Sequence, residues 1–334
     1  MQPAPSHRYC VTEHSRRYAR VSRTIPRVEW DVHFEAIAAI EALKEQCNAV
    51  ILAHNYQRAE IFHGVADFRG DSLALARFAA ASDAAVVVMC GVHFMAETAK
   101  LLAPEKIVLL PDADAGCSLA SSITAADVRA LRRLHPGVPA VCYVNTSAAV
   151  KAECDSCCTS ANAIEMVESF GAPEVILVPD EYLAAHVAAN TCTRVITWPG
   201  RCEVHERFTA ADVNEYRRLT GAFVLAHPEC SREVQRAADF VGSTGGMIDA
   251  LTARRPERAV LITECSMSDN ISGAFPQTEF LRPCNLCPHM QRITLANIRQ
   301  CLERMETRID VPADIAAAAR RATWRMLEQD RRGT

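Results

Sequence analysis

Short apolar runs rich in Val and Ile recur along the chain, separated by Ala-rich stretches with helical spacing. The runs cover 49–53, 84–89 and 107–110, then 140–144, 175–178 and 195–197, then 222–226, 240–241 and 259–262. Short runs that are apolar throughout suit strands buried on both faces, and helices between them make βαβ units with parallel strands. Ahead of the first run, Phe34, Ile37, Ile40 and Leu43 share one helical face, so the pattern predicts a helix over 33–47. Beyond the last run, 294–306 and 314–330 read as helices that pack back on the core with their charged faces in solvent.

The nine expected strands fall into three groups of three. The first strand of each group ends in a polar cluster: His54-Asn55-Tyr56, Tyr143-Val144-Asn145 and His227-Pro228-Glu229. Matching the groups by these strands gives offsets of 91 and 82 residues, the signature of an internal triplication. The predicted fold is α/β: three pseudo-symmetric three-layer α/β/α domains, each with a short parallel sheet, around a central cavity. The expected boundaries are an N-terminal extension over 1–30, α/β repeats over 31–116, 117–201 and 202–286, and a C-terminal segment over 287–334. Ligands of open parallel sheets bind beyond the carboxyl ends of the strands, so the three polar clusters should face one another across that cavity.

Composition narrows the class. Of 334 residues, 49% are hydrophobic and 23% charged, as in ordinary globular domains. A net charge of −4 gives no reason to expect nucleic acid or an anionic membrane surface as a partner. Without a membrane-length apolar run or a secretory signal, a cytoplasmic location is expected. Arg8, Arg16, Arg17, Arg20, Arg23 and Arg27 raise the idea of a transit peptide, but Glu13, Glu29 and the scarcity of serine favour a polar, partly disordered extension. Fifteen cysteines without a secretory signal point to metal or cluster ligation, or to buried small side chains, rather than to a disulfide framework. Cys10, Cys47, Cys90, Cys142, Cys192 and Cys301 lie in or beside apolar segments and are expected to be such side chains.

Three cysteines stand apart. Cys117, Cys202 and Cys287 sit in turn-like settings, one per group, with 85 residues between neighbours. Three converging thiolates can hold an iron–sulfur cluster and leave one iron free for substrate. The competing reading is zinc on Cys154-x-x-Cys157 and Cys284-x-x-Cys287, although 127 residues separate the two pairs. His54 and Tyr56 either meet substrate or complete a turn. Glu229, fixed at a strand end by Pro228, is a candidate base. Ser243-Thr244-Gly245-Gly246 reads as an anion-holding turn or a flexible loop, and Ser72 and Ser160 fall in helix N-cap patterns that can also hold carboxylates.

At these residues the sequence closely resembles the quinolinate synthase family. The matching segments are AHNYQ (53–57), ADFRGDSLALA (66–76), GVHFMAETAK (91–100), CSLA (117–120), CYVNTSAAVKA (142–152), TSANA (159–163), WPGRCEVHERF (198–208), HPEC (227–230), GSTGGM (242–247), TE (263–264) and CPHM (287–290). The resemblance implies a triangular three-domain fold and a [4Fe–4S] cluster on Cys117, Cys202 and Cys287. It implies condensation of iminoaspartate with dihydroxyacetone phosphate to quinolinate, releasing phosphate and two waters. Carried over by position, His54, Ser72, Tyr143, Asn145 and Ser160 would bind iminoaspartate carboxylates, and His227, Glu229, Ser243 and Thr244 would surround the second substrate. Glu229 would be the base, Tyr56 a proton donor or relay, His205 a contact near the open iron, and His227 a further catalytic group. A transient contact with the aspartate oxidase or dehydrogenase that supplies iminoaspartate is the candidate protein partner. The departures are Cys154-Asp-Ser-Cys157-Cys158 and Cys265, which bear on redox behaviour. The sequence leaves open whether Cys284 pairs with Cys287, or the 154–158 cysteines with one another. Two other readings remain at this stage: a different [4Fe–4S] hydro-lyase acting on a small carboxylate, and an iron–sulfur redox sensor.

Overall fold

The apolar runs form parallel strands, and three further strands join them. The computed structural model describes residues 9–330. The first sheet holds β1 (Ala49–His54), β2 (Phe68–Gly70), β3 (Val86–Cys90) and β4 (Ile107–Leu109). The second holds β5 (Ala140–Tyr143), β6 (Ser156–Cys158), β7 (Glu174–Val178) and β8 (Arg194–Thr197). The third holds β9 (Phe223–Ala226), β10 (Phe240–Val241), β11 (Arg258–Ile262) and β12 (Glu279–Leu281). Their strand orders, β2-β1-β3-β4, β6-β5-β7-β8 and β10-β9-β11-β12, are one topology used three times, and every pairing is parallel. The predicted α/β triplication therefore stands, with four strands per sheet rather than three.

The strands that the apolar pattern missed, β2, β6 and β12, are all three-residue edge strands. Phe-Arg-Gly, Ser-Cys-Cys and Glu-Phe-Leu carry no apolar run, because an edge strand has a neighbour on one side only. With β12 in place, the third unit's cysteine also stands close behind its last strand. Cys287 follows β12 by six residues, as Cys117 follows β4 by eight and Cys202 follows β8 by five.

A small electrostatic device recurs in all three units. Asp67, Asp155 and Asp239 each stand just before the second strand of their sheet. The amides of Ile51, Ala140 and Val224 on the first strands donate to them at 2.8, 2.8 and 2.9 Å. A cation from the preceding helix joins each carboxylate: Lys44, Arg132 and Arg217, at 2.6, 2.9 and 3.0 Å. Seven residues after each of the three cysteines stands a helix-capping threonine: Thr124, Thr209 and Thr294. The helix that follows the third, Leu295–Arg304, packs on Phe34–Cys47 of the first unit and closes the ring.

The chain ends add cover. The extension expected over 1–30 is helical in its described part: helices Val11–Ala19 and Arg27–Val32, the latter running two residues past that bound, bring Val21 and Trp30 into the core. Arg8, one of the arginines weighed as a transit signal, lies outside the described residues. The helix Ala313–Asp330 lies on the second unit, burying Ala319, Ala322, Thr323 and Met326. Among the described residues no helix is long and apolar enough to cross a membrane.

Candidate active site

The carboxyl ends of the first strands meet at one cavity, as the strand-end rule requires. It is lined by His54 and Tyr56 after β1, Tyr143 and Asn145 at β5, and His227 and Glu229 after β9. Cys117, Cys202 and Cys287 line it too, together with Ser72, Ser160, His205 and Thr244. Ser243 stands just behind: its hydroxyl caps the helix Thr244–Arg254 by accepting from the Gly246 amide at 3.1 Å.

Local structure fixes these groups. The buried Lys151 ammonium donates to the carbonyls of Val144 (2.9 Å) and Thr146, pinning the loop that follows Tyr143. Asn270, from the third unit, donates to the carbonyls of Asn55 (3.0 Å) and Gln57 (2.7 Å), holding the loop that carries Tyr56. Asp71 caps the helix Ser72–Ala81. Its other oxygen approaches Gly245 so closely that a Cβ there would lie 2.9 Å away, so the two helix starts meet at a glycine.

Glu229 is the electrostatic centre. Tyr143 donates to its Oε1 at 2.6 Å, with Asn145 Nδ2 at 3.3 Å, and His205 Nδ1 lies 2.9 Å from its Oε2. Burial alone would raise this carboxyl, but His205, His227 and the Tyr143 hydroxyl outweigh burial and hold it below the usual carboxylate range. On the other side of His205, Nε2 contacts Thr263 Oγ1 at 2.9 Å, and that hydroxyl meets the Tyr56 hydroxyl at 2.5 Å. Tyr56, Thr263, His205, Glu229 and Tyr143 thus form one unbroken chain of hydrogen-bonding groups.

Burial pushes the His54 imidazole down to about 4 and that of His227 to about 3, so both are neutral near pH 7. Each uses Nδ1 to accept a nearby amide, His54 from Tyr56 and His227 from Glu229, at 3.2 and 3.3 Å. The ring proton is therefore on Nε2, which for His227 donates to Ser160 Oγ at 3.2 Å. His205 and His227 stack with centroids 4.8 Å apart.

The cysteine wall is equally ordered. A short helical turn follows each cysteine: Ser118–Ser121, His205–Arg207 and Met290–Arg292. Backbone amides at or beside that turn favour the charged form of each sulfur: Ala120 and Leu119 for Cys117, His205 and Val204 for Cys202, Met290 and His289 for Cys287. Burial nevertheless pushes Cys117 up to about 12, Cys287 to about 11 and Cys202 well above its ordinary value. Thiols so placed ionise only against a local positive charge, and the amides are aimed to support that charged form. Polar ties join the three loops. Trp198 Nε1 donates to Ser122 O at 2.9 Å, His289 Nε2 meets Glu203 Oε1 at 3.1 Å, and Arg292 bridges Asp112 (3.0 Å) and Asp114 (2.9 Å).

Residues 38–328 match the family model described as quinolinate synthetase A protein. The chain belongs to that family. It is 61% identical to quinolinate synthase 1 of Mesorhizobium japonicum, over 93% of this chain and 96% of that protein. It is 60% identical to quinolinate synthase of Agrobacterium fabrum (93% and 90% covered), and 54% identical to that of Caulobacter vibrioides (93% and 86% covered). As a member of the quinolinate synthetase A family the chain is an enzyme, and its sequence resemblance is borne out.

Some cysteine readings need correction. Cys10 and Cys192 are exposed rather than buried, because each sits at the margin of an apolar segment and not within it. The paired-CxxC zinc reading has no site. Cys157 lies buried beside Cys142, with sulfurs 3.5 Å apart, whereas Cys284 forms a disulfide with Cys265 and not with Cys287. Thr263 and Glu264 belong to a matched segment, but nothing in their residue types marked them as site groups. Thr263 bridges Tyr56 and His205, and Glu264 accepts from the amides of Ser266 (2.8 Å) and Cys287 (3.3 Å). Asp71, Glu203 and His289 were likewise unassigned from sequence, since only folding brings them to the cavity.

Proposed function

We propose that this enzyme condenses iminoaspartate with dihydroxyacetone phosphate to quinolinate in NAD biosynthesis, releasing phosphate and two waters. We also propose that Cys117, Cys202 and Cys287 hold a [4Fe–4S] cluster. The observation that carries the reading is the repeated cysteine turn. Three units each supply one sulfur, each backed by two amides, to one wall of a cavity whose other wall bears the Glu229 chain. Three cysteine sulfurs without a fourth are a donor set suited to an iron–sulfur cluster that keeps one iron free. When bound, the cluster would supply a Lewis-acidic iron without a fourth protein ligand, which makes water a better leaving group.

The protein's own groups divide the remaining work. Forming the ring requires protons to be removed next to carbonyl or imine carbon and delivered to departing oxygen. Glu229, ionised and backed by His205, takes protons. Tyr56, which burial and the Glu229 charge keep protonated, delivers them. Thr263 links the two groups, so a proton taken at Glu229 has a path back to Tyr56 through His205. Neutral His54 and His227 orient polar oxygens without adding charge. Ser72 and Thr244 stand at the starts of helices Ser72–Ala81 and Thr244–Arg254, whose free amides suit carboxylate and phosphate oxygens. Ser160 and Asn145 complete the polar lining.

The deciding experiment is an anaerobic assay of the cluster-loaded chain with both substrates. Quinolinate and phosphate should appear in equal amounts. Glu229→Gln should retain the cluster while turnover falls about a hundredfold or more. A loaded chain that makes no quinolinate, or a Glu229→Gln protein with normal turnover, would overturn the assignment.

A further inference from the structure

Cys202, His205 and Glu229, given separate roles above, also bring three donor atoms together. Three residue types that bind borderline-soft cations present Sγ, Nδ1 and Oε2 to a common point, all within 4.8 Å of one another. His205 Nδ1 is the hub, 3.2 Å from the sulfur and 2.9 Å from the carboxylate. We propose that the cluster-free chain binds one zinc(II) or iron(II) ion on this thiolate–imidazole–carboxylate triad.

The surroundings are those of a built metal site. A ligating histidine ordinarily uses its second ring nitrogen to hydrogen-bond an orienting partner. Here His205 Nε2 contacts Thr263 at 2.9 Å, so the ring proton can sit there while Nδ1 turns its lone pair to the ion. A ligating carboxylate is ordinarily held through its other oxygen. Glu229 Oε1 takes the Tyr143 hydroxyl at 2.6 Å and Asn145 Nδ2 at 3.3 Å. Zinc bonds of about 2.0–2.3 Å put neighbouring donors of a tetrahedral site roughly 3.3–3.8 Å apart. The two pairs at Nδ1 open by well under an ångström, and Sγ and Oε2, within 4.8 Å of each other, close by up to about an ångström to receive the ion. The fourth position faces the cavity and is left for water. Binding displaces the thiol proton of Cys202, while the His205 ring proton sits on Nε2 toward Thr263 and Glu229 is already ionised, so one proton leaves as one dication enters.

The site is incompatible with a loaded cluster, since Cys202 serves both, and it removes Glu229 from proton transfer. A chain that meets zinc before its cluster is assembled would be trapped in an inactive form. The triad stands on its own geometry, whether or not the three cysteines take a cluster.

The test uses the full chain, prepared anaerobically without cluster and titrated with cobalt(II) as a spectroscopic stand-in and then with zinc(II). One equivalent of cobalt should bind with a thiolate-to-metal charge-transfer band, and zinc should abolish that band. Glu229→Gln and His205→Gln should each weaken binding at least tenfold, as the loss of one ligand requires, while circular dichroism reports that both variants are folded. Cys117→Ser and Cys287→Ser should leave the titration unchanged while lowering cluster content after reconstitution, which separates failure of this site from failure of the cluster assignment. Zinc-loaded chain should also incorporate iron and sulfide more slowly. Binding that depends on Cys117 and Cys287 but not on Glu229, or cobalt binding without a thiolate band, would overturn the proposal.

Discussion

Thr263 decides whether Tyr56 and His205 act together. Its hydroxyl has both as partners, and no other described group joins them directly. Thr263→Val keeps the shape and removes the bridge, leaving a buried phenol and an imidazole nitrogen unpaired at a cost of about 1–3 kcal/mol. With proton return interrupted, kcat should fall about a hundredfold while KM changes little, because the residue does not line the cavity. Thr263→Ser should restore most of the rate. Anaerobic steady-state kinetics of the three proteins provide the check, and equal kcat values in the Val and Ser variants would assign Thr263 a packing role alone.

The ligand loops show how elements, more than single residues, build the site. Gly200 lies two residues before Cys202. A Cβ there would sit 2.5 Å from both Pro179 O and Ser122 Oγ, so this loop reaches its neighbours only through glycine. The Gly200 amide donates to Pro179 O at 3.1 Å, and the Glu181 amide returns the bond to Gly200 O at 2.9 Å. Gly200→Ala must therefore move the Cys202 loop away from the turn after Cys117, at about 1–3 kcal/mol of strain. Cluster content after reconstitution should drop severalfold, with the far-ultraviolet spectrum preserved; full content would show that the loop tolerates the shift. Part of this architecture was legible in the chain. Val- and Ile-rich runs marked the central strands, whose burial on both faces imposes that composition, and the polar residues that end them marked the cavity. The edge strands escaped because three residues such as Ser156–Cys158 carry no period, and the Asp67, Asp155 and Asp239 devices escaped because one carboxylate among many has no local signature. Thr263 and Glu203 were invisible for a related reason. Tyr56 and His289 reach them from distant parts of the chain, and no spacing along the chain encodes such a contact.

At the scale of the molecule, the first and third units are tied by contacts distant from the chemistry, and one of them titrates. Arg23 from the N-terminal segment donates to Pro276 O at 2.8 Å, the Arg20 backbone packs against Gly273, and Arg17 reaches back to Glu41 and Gly64 O in the first unit. Beneath this clasp, His63 Nε2 meets Asn270 O at 3.0 Å. Asn270 in turn holds the loop that carries Tyr56, so the seam supports the site. Burial, aided by Arg69 and Arg20, pushes His63 down from 6.5 to about 4, against the small opposing effect of the Asn270 carbonyl. The folded chain therefore keeps this ring neutral where the unfolded chain takes up a proton. The sign follows: this group's contribution is complete above pH 6.5 and is lost as pH falls from 6.5 toward about 4, at about 1.4 kcal/mol per pH unit. His63→Gln retains an amide donor for the Asn270 carbonyl and does not titrate. Other buried acids and histidines contribute equally to both proteins and cancel in the difference. Urea unfolding of the two proteins between pH 7 and pH 4.5 should show the variant gaining on the parent by about 2–3 kcal/mol as the solution is acidified. A difference that stays constant with pH would mean that His63 is protonated in the folded state, and that the seam between the first and third units is open to water.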